Sequence, residues 1–87
     1  AYFYRNATFF VDYSIQWLDP KDDSKQIAEL DALRTKLLPY AYGDYIGNPD
    51  RSLKDPLKDY YGDNVQRLQA VKQKYDPKQV FQYEQGV

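Results

Sequence analysis

The sequence predicts an α+β fold, and two kinds of pattern carry that prediction. Apolar and polar residues alternate over 7–17, which is typical of a strand with one buried face. The stretches 24–38 and 63–75 instead space their apolar residues three and four positions apart, which is typical of amphipathic helices. One long strand and two helices therefore form the predicted framework of this 87-residue chain.

The stretch over 7–17 is the clearest strand in the sequence. Its apolar face would hold Ala7, Phe9, Val11, Tyr13, Ile15 and Trp17. Its polar face would hold Thr8, Phe10, Asp12, Ser14 and Gln16. The one further strand candidate is the short run 80–83, and a two-stranded pair is barely stable in water. We therefore expect polypeptide outside this chain to complete the sheet.

The first predicted helix covers 24–38 and follows a polar turn. Its N-cap could be Asp22, Asp23 or Ser24, since each side chain can accept a free N–H of the first turn. Its apolar stripe consists of Ile27, Leu30, Leu33 and Leu37. Pro39 ends the helix because proline lacks the N–H that a helix needs. We expect the stripe to pack against the sheet.

The middle of the chain is predicted as a loop over 39–52, followed by a short helix. The loop is rich in Tyr, Gly, Asn and Pro, and loops of this kind often carry functional residues. The short helix covers 53–61, and we expect Pro56 to interrupt it.

The second long helix is predicted over 63–75. Asp63 is its expected N-cap, with Gln66 three residues later in a variant of the capping box. Its apolar stripe consists of Val65, Leu68, Val71 and Tyr75. The helix ends at Asp76 because the residue before Pro77 disfavours the helical conformation.

Composition excludes several classes of function. The net charge of −1 gives no reason to expect a nucleic acid partner, and no apolar run has transmembrane length, so no membrane partner is expected. Histidine and cysteine are both absent, so we expect no metal site, and the chain alone cannot form a Ser-His or Cys-His nucleophile pair. Ten tyrosines offer large packing surfaces with a polar tip. No repeat or domain boundary is visible, so 1–87 is predicted to be a single segment.

Several short sequence motifs at fixed spacing indicate a family resemblance. They are Tyr60-Tyr61-Gly62 with Asn64, Arg67-Leu68, Val71-Lys72 with Lys74-Tyr75-Asp76-Pro77, and Val80-Phe81. This pattern resembles the C-terminal signature of the berberine-bridge-enzyme-like FAD oxidases of the vanillyl-alcohol-oxidase superfamily. The resemblance is strongest over 60–87 and extends more loosely over the whole chain. Gln85-Gly86-Val87 is similar to the Gln-Ser-Ile word at the end of family members, so we expect the natural C-terminus near Val87.

The resemblance implies a function that this chain performs only as part of a larger protein. It implies the C-terminal part of an FAD-dependent oxidoreductase that oxidises an alcohol group of a sugar or a secondary metabolite. The FAD-binding portion, with the residues that attach the flavin, would be N-terminal to this chain and would be its partner. The sheet begun by 7–17 would be completed by that portion.

The resemblance also points to Asp12 as the catalytic residue. In family members a word corresponding to Val11-Asp12-Tyr13 presents its middle side chain to the substrate over the flavin. A carboxylate there is expected to act as the general base that removes the hydroxyl proton. Phe10 and Ser14, on the same predicted face, are expected to line the substrate pocket. The alternative is that Asp12 lies on a solvated face of the sheet.

The loop offers a second candidate site between Tyr45 and Asp50. Many family members have Tyr-x-Asn-Tyr-x-Asp here, and the second Tyr is their expected base. In this sequence Gly47 replaces that Asn and Asn48 replaces that Tyr, so the tyrosine base is missing. We expect Tyr45, Gly47 and Asn48 to contact the flavin. The alternative is an ordinary tight turn, for which Gly-Asn-Pro-Asp is suitable.

Asn6-Ala7-Thr8 is an N-glycosylation sequon, which agrees with a secreted location such as many family members have. Two functions of another class remain open for the whole chain. One is a non-catalytic α+β partner that completes another protein's sheet, and the other is a small carbohydrate-binding module that uses its tyrosines. A flavin that copurifies would favour the oxidoreductase.

Overall fold

Residues 2–87 are described by a computed structural model, and their regular structure is helical throughout. The helices are α1 (Asp23–Leu37), α2 (Pro56–Tyr61) and α3 (Val65–Tyr75). Three-residue 3₁₀ turns cover Pro20–Asp22, Leu38–Tyr40 and Gly62–Asn64. The chain divides into two compact units: the first joins the residues up to 6 to residues 43–87, and the second covers 7–42.

The α+β prediction is wrong, because no residue of 2–87 belongs to a strand. The segment 7–17 follows an irregular path, and Phe9 and Val11 from its apolar set are 82% and 63% exposed. A strand exists only as part of a ladder with a neighbouring strand, and the described residues contain no such ladder. The short candidate 80–83 is not a strand either.

In the second unit, α1 is preceded by a well-capped turn. The Asp19 carboxylate accepts a hydrogen bond from the Lys21 amide at 3.0 Å. The Trp17 indole N–H donates to Asp23 Oδ1 at 2.6 Å, which fixes the ring against the start of α1. The predicted packing of the apolar stripe against a sheet is wrong, because the described residues contain no strand and Ile27 is 51% exposed.

In the first unit, α2 begins where the sequence predicted an interruption. Pro56 occupies the first turn of α2, where a missing N–H costs nothing because that N–H has no partner within a helix. Asp55 is the N-cap, and its carboxylate accepts a hydrogen bond from the Lys58 amide at 3.2 Å. Gly62 ends α2 with a φ of +51°, a backbone conformation that residues with a Cβ atom rarely adopt.

A 3₁₀ turn separates α2 from α3 and displaces the predicted cap. Asp63 lies inside this turn, and the N-cap of α3 is Asn64. The prediction that Asp63 caps the helix is therefore wrong. Its physical reason is the 3₁₀ turn, which carries the chain through one more residue before the α-helical pattern begins at Val65.

A compact hydrogen-bonded clasp closes the chain after α3. The Asp76 carboxylate accepts hydrogen bonds from the Val80 and Phe81 amides, at 2.8 and 3.0 Å. The Lys72 ammonium lies 2.7 Å from the Asp76 carboxylate and also donates to the Phe81 carbonyl. We call this arrangement the Asp76 clasp. It uses the main-chain donors that the predicted strand 80–83 would have needed.

The Asp76 clasp predicts a pH dependence of stability. The hydrogen bond from Lys72 is the main reason why the pKa of Asp76 lies below its ordinary value of 3.8, and the Val80 and Phe81 amides act in the same direction. A carboxylate whose pKa is lowered by folding stabilises the fold above its unfolded pKa, and that stabilisation is lost as the pH falls through the folded pKa. In the full-length protein we expect Asp76→Asn to lower the urea midpoint at neutral pH, and this difference from the wild type to shrink as the pH falls below 3.8. A difference that stays constant down to about pH 2 would contradict this assignment.

The apolar stripe of α3 is only partly covered within the described residues. Leu68 is half-buried, whereas Tyr75 is 74% exposed. If further polypeptide covers the stripe, Leu68→Ala in the full-length protein should lower the free energy of unfolding by about 2–5 kcal/mol. The adjacent exposed Gln69→Ala is the matched control and should change it by less than about 0.5 kcal/mol. Small changes in both variants, measured by urea unfolding, would mean that the stripe stays uncovered.

Candidate functional site

The turn from Tyr45 to Asn48 is the first part of the candidate site. The Asn48 amide donates to the Tyr45 carbonyl at 2.9 Å, which closes a four-residue turn. The Tyr45 ring covers Gly47 so closely that a Cβ atom there would collide with the ring. Asn48 is exposed. The structure thus brings the three predicted flavin-contacting residues together in one tight turn, while their role at a flavin stays a prediction.

A closed ring of three hydrogen bonds lies directly after this turn. The Asp50 amide donates to the Tyr60 hydroxyl at 2.7 Å. The Tyr60 hydroxyl donates to Gln85 Oε1 at 3.0 Å, and Gln85 Nε2 donates to the Asp50 carbonyl at 2.7 Å. We call this arrangement the Asp50–Tyr60–Gln85 ring. It satisfies both main-chain groups of Asp50 with side chains that lie 10 and 35 residues away along the chain.

The ring lies in the core of the first unit. Tyr60 is fully buried, and Gln85 and the neighbouring Leu53 are 8% exposed. Burial is the main reason why the pKa of Tyr60 lies above its ordinary value of 10.0, and the hydrogen bond from the Asp50 amide partly offsets this effect. The phenol therefore keeps its proton at neutral pH and remains a donor to Gln85.

Aromatic side chains near the N-terminus contact the other end of the turn. The Tyr2 ring meets the Tyr45 ring edge-on, with the centroids 5.5 Å apart. The Tyr4 hydroxyl donates to the Lys58 carbonyl of α2 at 2.9 Å, and the Tyr4 ring leaves no room for a Cβ atom at Gly43. The turn is therefore fastened by aromatic contacts before it and by the Asp50–Tyr60–Gln85 ring after it.

The other predicted site residues belong to the second unit. Phe10, Asp12 and Ser14 follow one another at alternate positions along the irregular segment 7–17, and all three are exposed. Their shared face depends on a pleated strand, which forms only with a pairing neighbour. Asn6 is also exposed and lies in a turn of the first unit. The catalytic, pocket-lining and glycosylation roles of these four residues stay predictions.

The described residues suit one edge of a flavin site and not a complete site. The turn offers the Asn48 amide and main-chain groups, which can hydrogen-bond an uncharged ring system, but no cationic side chain that would meet a pyrophosphate. The depression lined by Ile15, Gln16, Trp17 and Leu18 comes from four consecutive residues and is open to solvent. Most of a flavin's contacts would therefore have to come from other polypeptide.

Residues 2–87 contain neither an acidic cluster suited to a metal ion nor a helix suited to crossing a membrane. No acidic residues there gather in a group of three or more that could hold a metal ion. In the same part of the chain, no helix combines the length and the apolar character that crossing a membrane requires.

Comparison with known proteins decides the family. The family model described as berberine and berberine-like matches residues 44–87, which contain the turn, the Asp50–Tyr60–Gln85 ring and the Asp76 clasp. The chain belongs to the berberine and berberine-like family. The resemblance found in the sequence words is thereby confirmed. Asp12 lies outside the matched residues.

Several curated relatives match this berberine-like chain. An uncharacterized FAD-linked oxidoreductase of Bacillus subtilis, YgaK, is 37% identical over the whole chain and 19% of its own length. The FAD-linked oxidoreductase sorD of Penicillium rubens is 31% identical over the whole chain and 20% of its own length. A chitooligosaccharide oxidase of Gibberella zeae is 42% identical over 53% of the chain and 10% of its own length. The chain therefore spans about a fifth of the length of the relatives that match it completely, and no solved structure matches it significantly.

Sequence reasoning did not find the Asp50–Tyr60–Gln85 ring. All three residues occur in the short motifs that resemble the family, but nothing in those motifs indicates that the residues contact one another. A hydrogen bond between residues 25 or 35 positions apart leaves no periodic signal. The one available sign was a polar Gln85 in a short terminal word, which is compatible with either an exposed or a buried position.

Proposed function

We propose that this berberine-like chain is the C-terminal segment of an FAD-dependent oxidoreductase that oxidises an alcohol group of a sugar or secondary metabolite. The family match over residues 44–87 carries the proposal. The relatives named FAD-linked oxidoreductases, which align with the whole chain, support the cofactor and the reaction class. The relative named chitooligosaccharide oxidase supports an alcohol group of a sugar as the group that is oxidised.

The proposed roles divide between the two units. Tyr45, Gly47 and Asn48 form one edge of the flavin site, where the exposed Asn48 amide can donate or accept a hydrogen bond. Asp12 accepts the proton of the substrate hydroxyl, and Phe10 and Ser14 line the pocket beside it. FAD, when bound, accepts the hydride in this class of reaction.

The proposed partner is the N-terminal FAD-binding portion of the same enzyme. The segment 7–17 supports this proposal, because its apolar and polar residues alternate as in a strand while Phe9 and Val11 are exposed. Pairing would restore the alternation that directs Asp12 to one face. We also propose a secreted, glycosylated enzyme, supported by the exposure of Asn6 within its sequon.

The test is to purify the full-length polypeptide that contains this chain and record its visible spectrum. We expect the absorption of bound flavin, and its bleaching when a suitable alcohol is added without oxygen. Chitooligosaccharides and non-carbohydrate alcohols of similar size form the matched substrate panels. A colourless protein with no flavin after denaturation would refute the proposal and favour a non-catalytic partner. Binding of oligosaccharide by a flavin-free protein would favour a carbohydrate-binding module.

A further inference from the structure

We propose that Tyr60 and Gln85 are positioning residues that hold the Tyr45–Asn48 turn in place at the flavin, acting through the main chain of Asp50. The inference rests on the proposed function, which puts this turn at the edge of the flavin. It adds two residues that touch neither substrate nor cofactor, and one of them, Gln85, lies 35 residues from Asp50.

The direction of the Asp50–Tyr60–Gln85 ring is fixed by its chemistry. The Asp50 amide can only donate, so the Tyr60 oxygen accepts that hydrogen bond. The Tyr60 O–H then donates to Gln85 Oε1. Gln85 then has its amide N–H groups free to donate to the Asp50 carbonyl. Because each member is at once donor and acceptor, removal of either side-chain group breaks two hydrogen bonds of the ring.

The Asp50–Tyr60–Gln85 ring binds the main-chain groups of Asp50, whereas the Asp50 carboxylate makes other contacts. The Asp50 carboxylate accepts hydrogen bonds from the Ser52 amide and hydroxyl, at 2.8 and 2.7 Å. Asp50 therefore takes part in four of these hydrogen bonds, two through its main chain in the ring and two through its carboxylate. Changes to Tyr60 or Gln85 leave the contacts of the Asp50 carboxylate intact, so they test only the hydrogen bonds to the Asp50 main chain.

A stiff link joins the ring to the turn. Only Pro49 separates Asp50 from Asn48, and the ring of a proline fixes its own φ while restricting the residue before it. On the other side, the Asp44 amide donates to the Asp59 carbonyl of α2 at 2.9 Å. The turn is thus fixed at both ends, and a shift at Asp50 passes directly to the Asn48 amide.

The experiment uses the full-length flavoprotein with Gln85→Glu and Tyr60→Phe. The first variant removes the donor to the Asp50 carbonyl, and the second removes one oxygen atom. Gln82→Glu, at an exposed position three residues before Gln85, is the matched control for the added charge. Two quantities are measured: hydrogen exchange of the amides over 44–52, and the positions of the visible absorption bands of the bound flavin.

We expect Tyr60→Phe to exchange the Asp50 amide about tenfold faster or more, because it deletes the acceptor of that amide. Gln85→Glu should speed exchange of the same amide in the same direction, because it releases the Asp50 carbonyl. We also expect both to shift the flavin bands in the same direction, because both release the same turn. Gln82→Glu should match the wild type in both measurements. A ring with a merely structural role would change exchange but not the flavin bands.

The outcomes separate this inference from the proposed function. A wild-type protein without flavin refutes the proposed function. Wild type with flavin, together with variants that keep the wild-type bands, overturns the positioning role alone. If Gln85→Glu does not fold, Tyr60→Phe, which deletes only the hydroxyl, decides the question by the same two measurements.

Discussion

The Asp12→Asn variant of the full-length enzyme is expected to reduce its flavin about 10²–10⁴-fold more slowly than the wild type. Asparagine keeps the size of the side chain and much of its hydrogen bonding but cannot take up the proton of the substrate hydroxyl. Asn48 stands where the family resemblance implies a tyrosine base, so a tyrosine at that position would not compensate. The affinity for substrate should change less than the rate, because the lost interaction belongs to the transition state.

Stopped-flow reduction of the flavin without oxygen measures this effect directly. Asp31→Asn, an exposed carboxylate on α1, is the matched control and should keep the wild-type rate. Reduction by Asp12→Asn at the wild-type rate would make Asp12 a structural residue and would place the base in the partner polypeptide.

The 87-residue chain alone is expected to show no cooperative unfolding transition. Within the described residues, Leu53, Tyr60 and Gln85 are the buried side chains, and two of the three carry polar groups. Burial of apolar surface is the main stabilising contribution to folding, and so small a core does not offset the loss of chain entropy. Exposed Phe9 and Val11 should in addition make the isolated chain prone to association.

Circular dichroism during heating and in urea tests this expectation. We expect weak helical signal that declines gradually, and a sharp transition when the chain is coexpressed with the remaining polypeptide. A sigmoidal melt of the isolated chain, with the same midpoint by far-ultraviolet and tyrosine signals, would show an autonomous domain.

Local patterns predicted the helices well and long-range contacts poorly. The helix predicted over 24–38 lies at Asp23–Leu37, because the three-and-four spacing and Pro39 are signals within the helix itself. The strand over 7–17 failed because its alternation describes a surface to be buried, whereas a strand also needs a pairing neighbour.

The candidate site divides in the same way. The Gly47-Asn48-Pro49 word predicted a tight turn, since these residue types favour turns by themselves. The ring that supports the turn could not be predicted, because Tyr60 and Gln85 meet Asp50 only after the chain has folded. The proposed role of Asp12 requires 7–17 to pair as a strand, and strand pairing is a long-range contact that a local pattern does not specify.

The Tyr45 ring over Gly47 has a consequence for how the family's turn can diversify. The family resemblance implies Asn at position 47, but the Cβ atom of an Asn there would collide with the Tyr45 ring, which fills that space. The ring would first have to rotate away and give up its edge-on contact with Tyr2. The effect of Gly47→Asn should therefore depend on the residue at position 45, and the single substitution should disturb the turn more than the same change made together with a smaller side chain at position 45. Directed evolution of this turn will succeed sooner with libraries that vary both positions together.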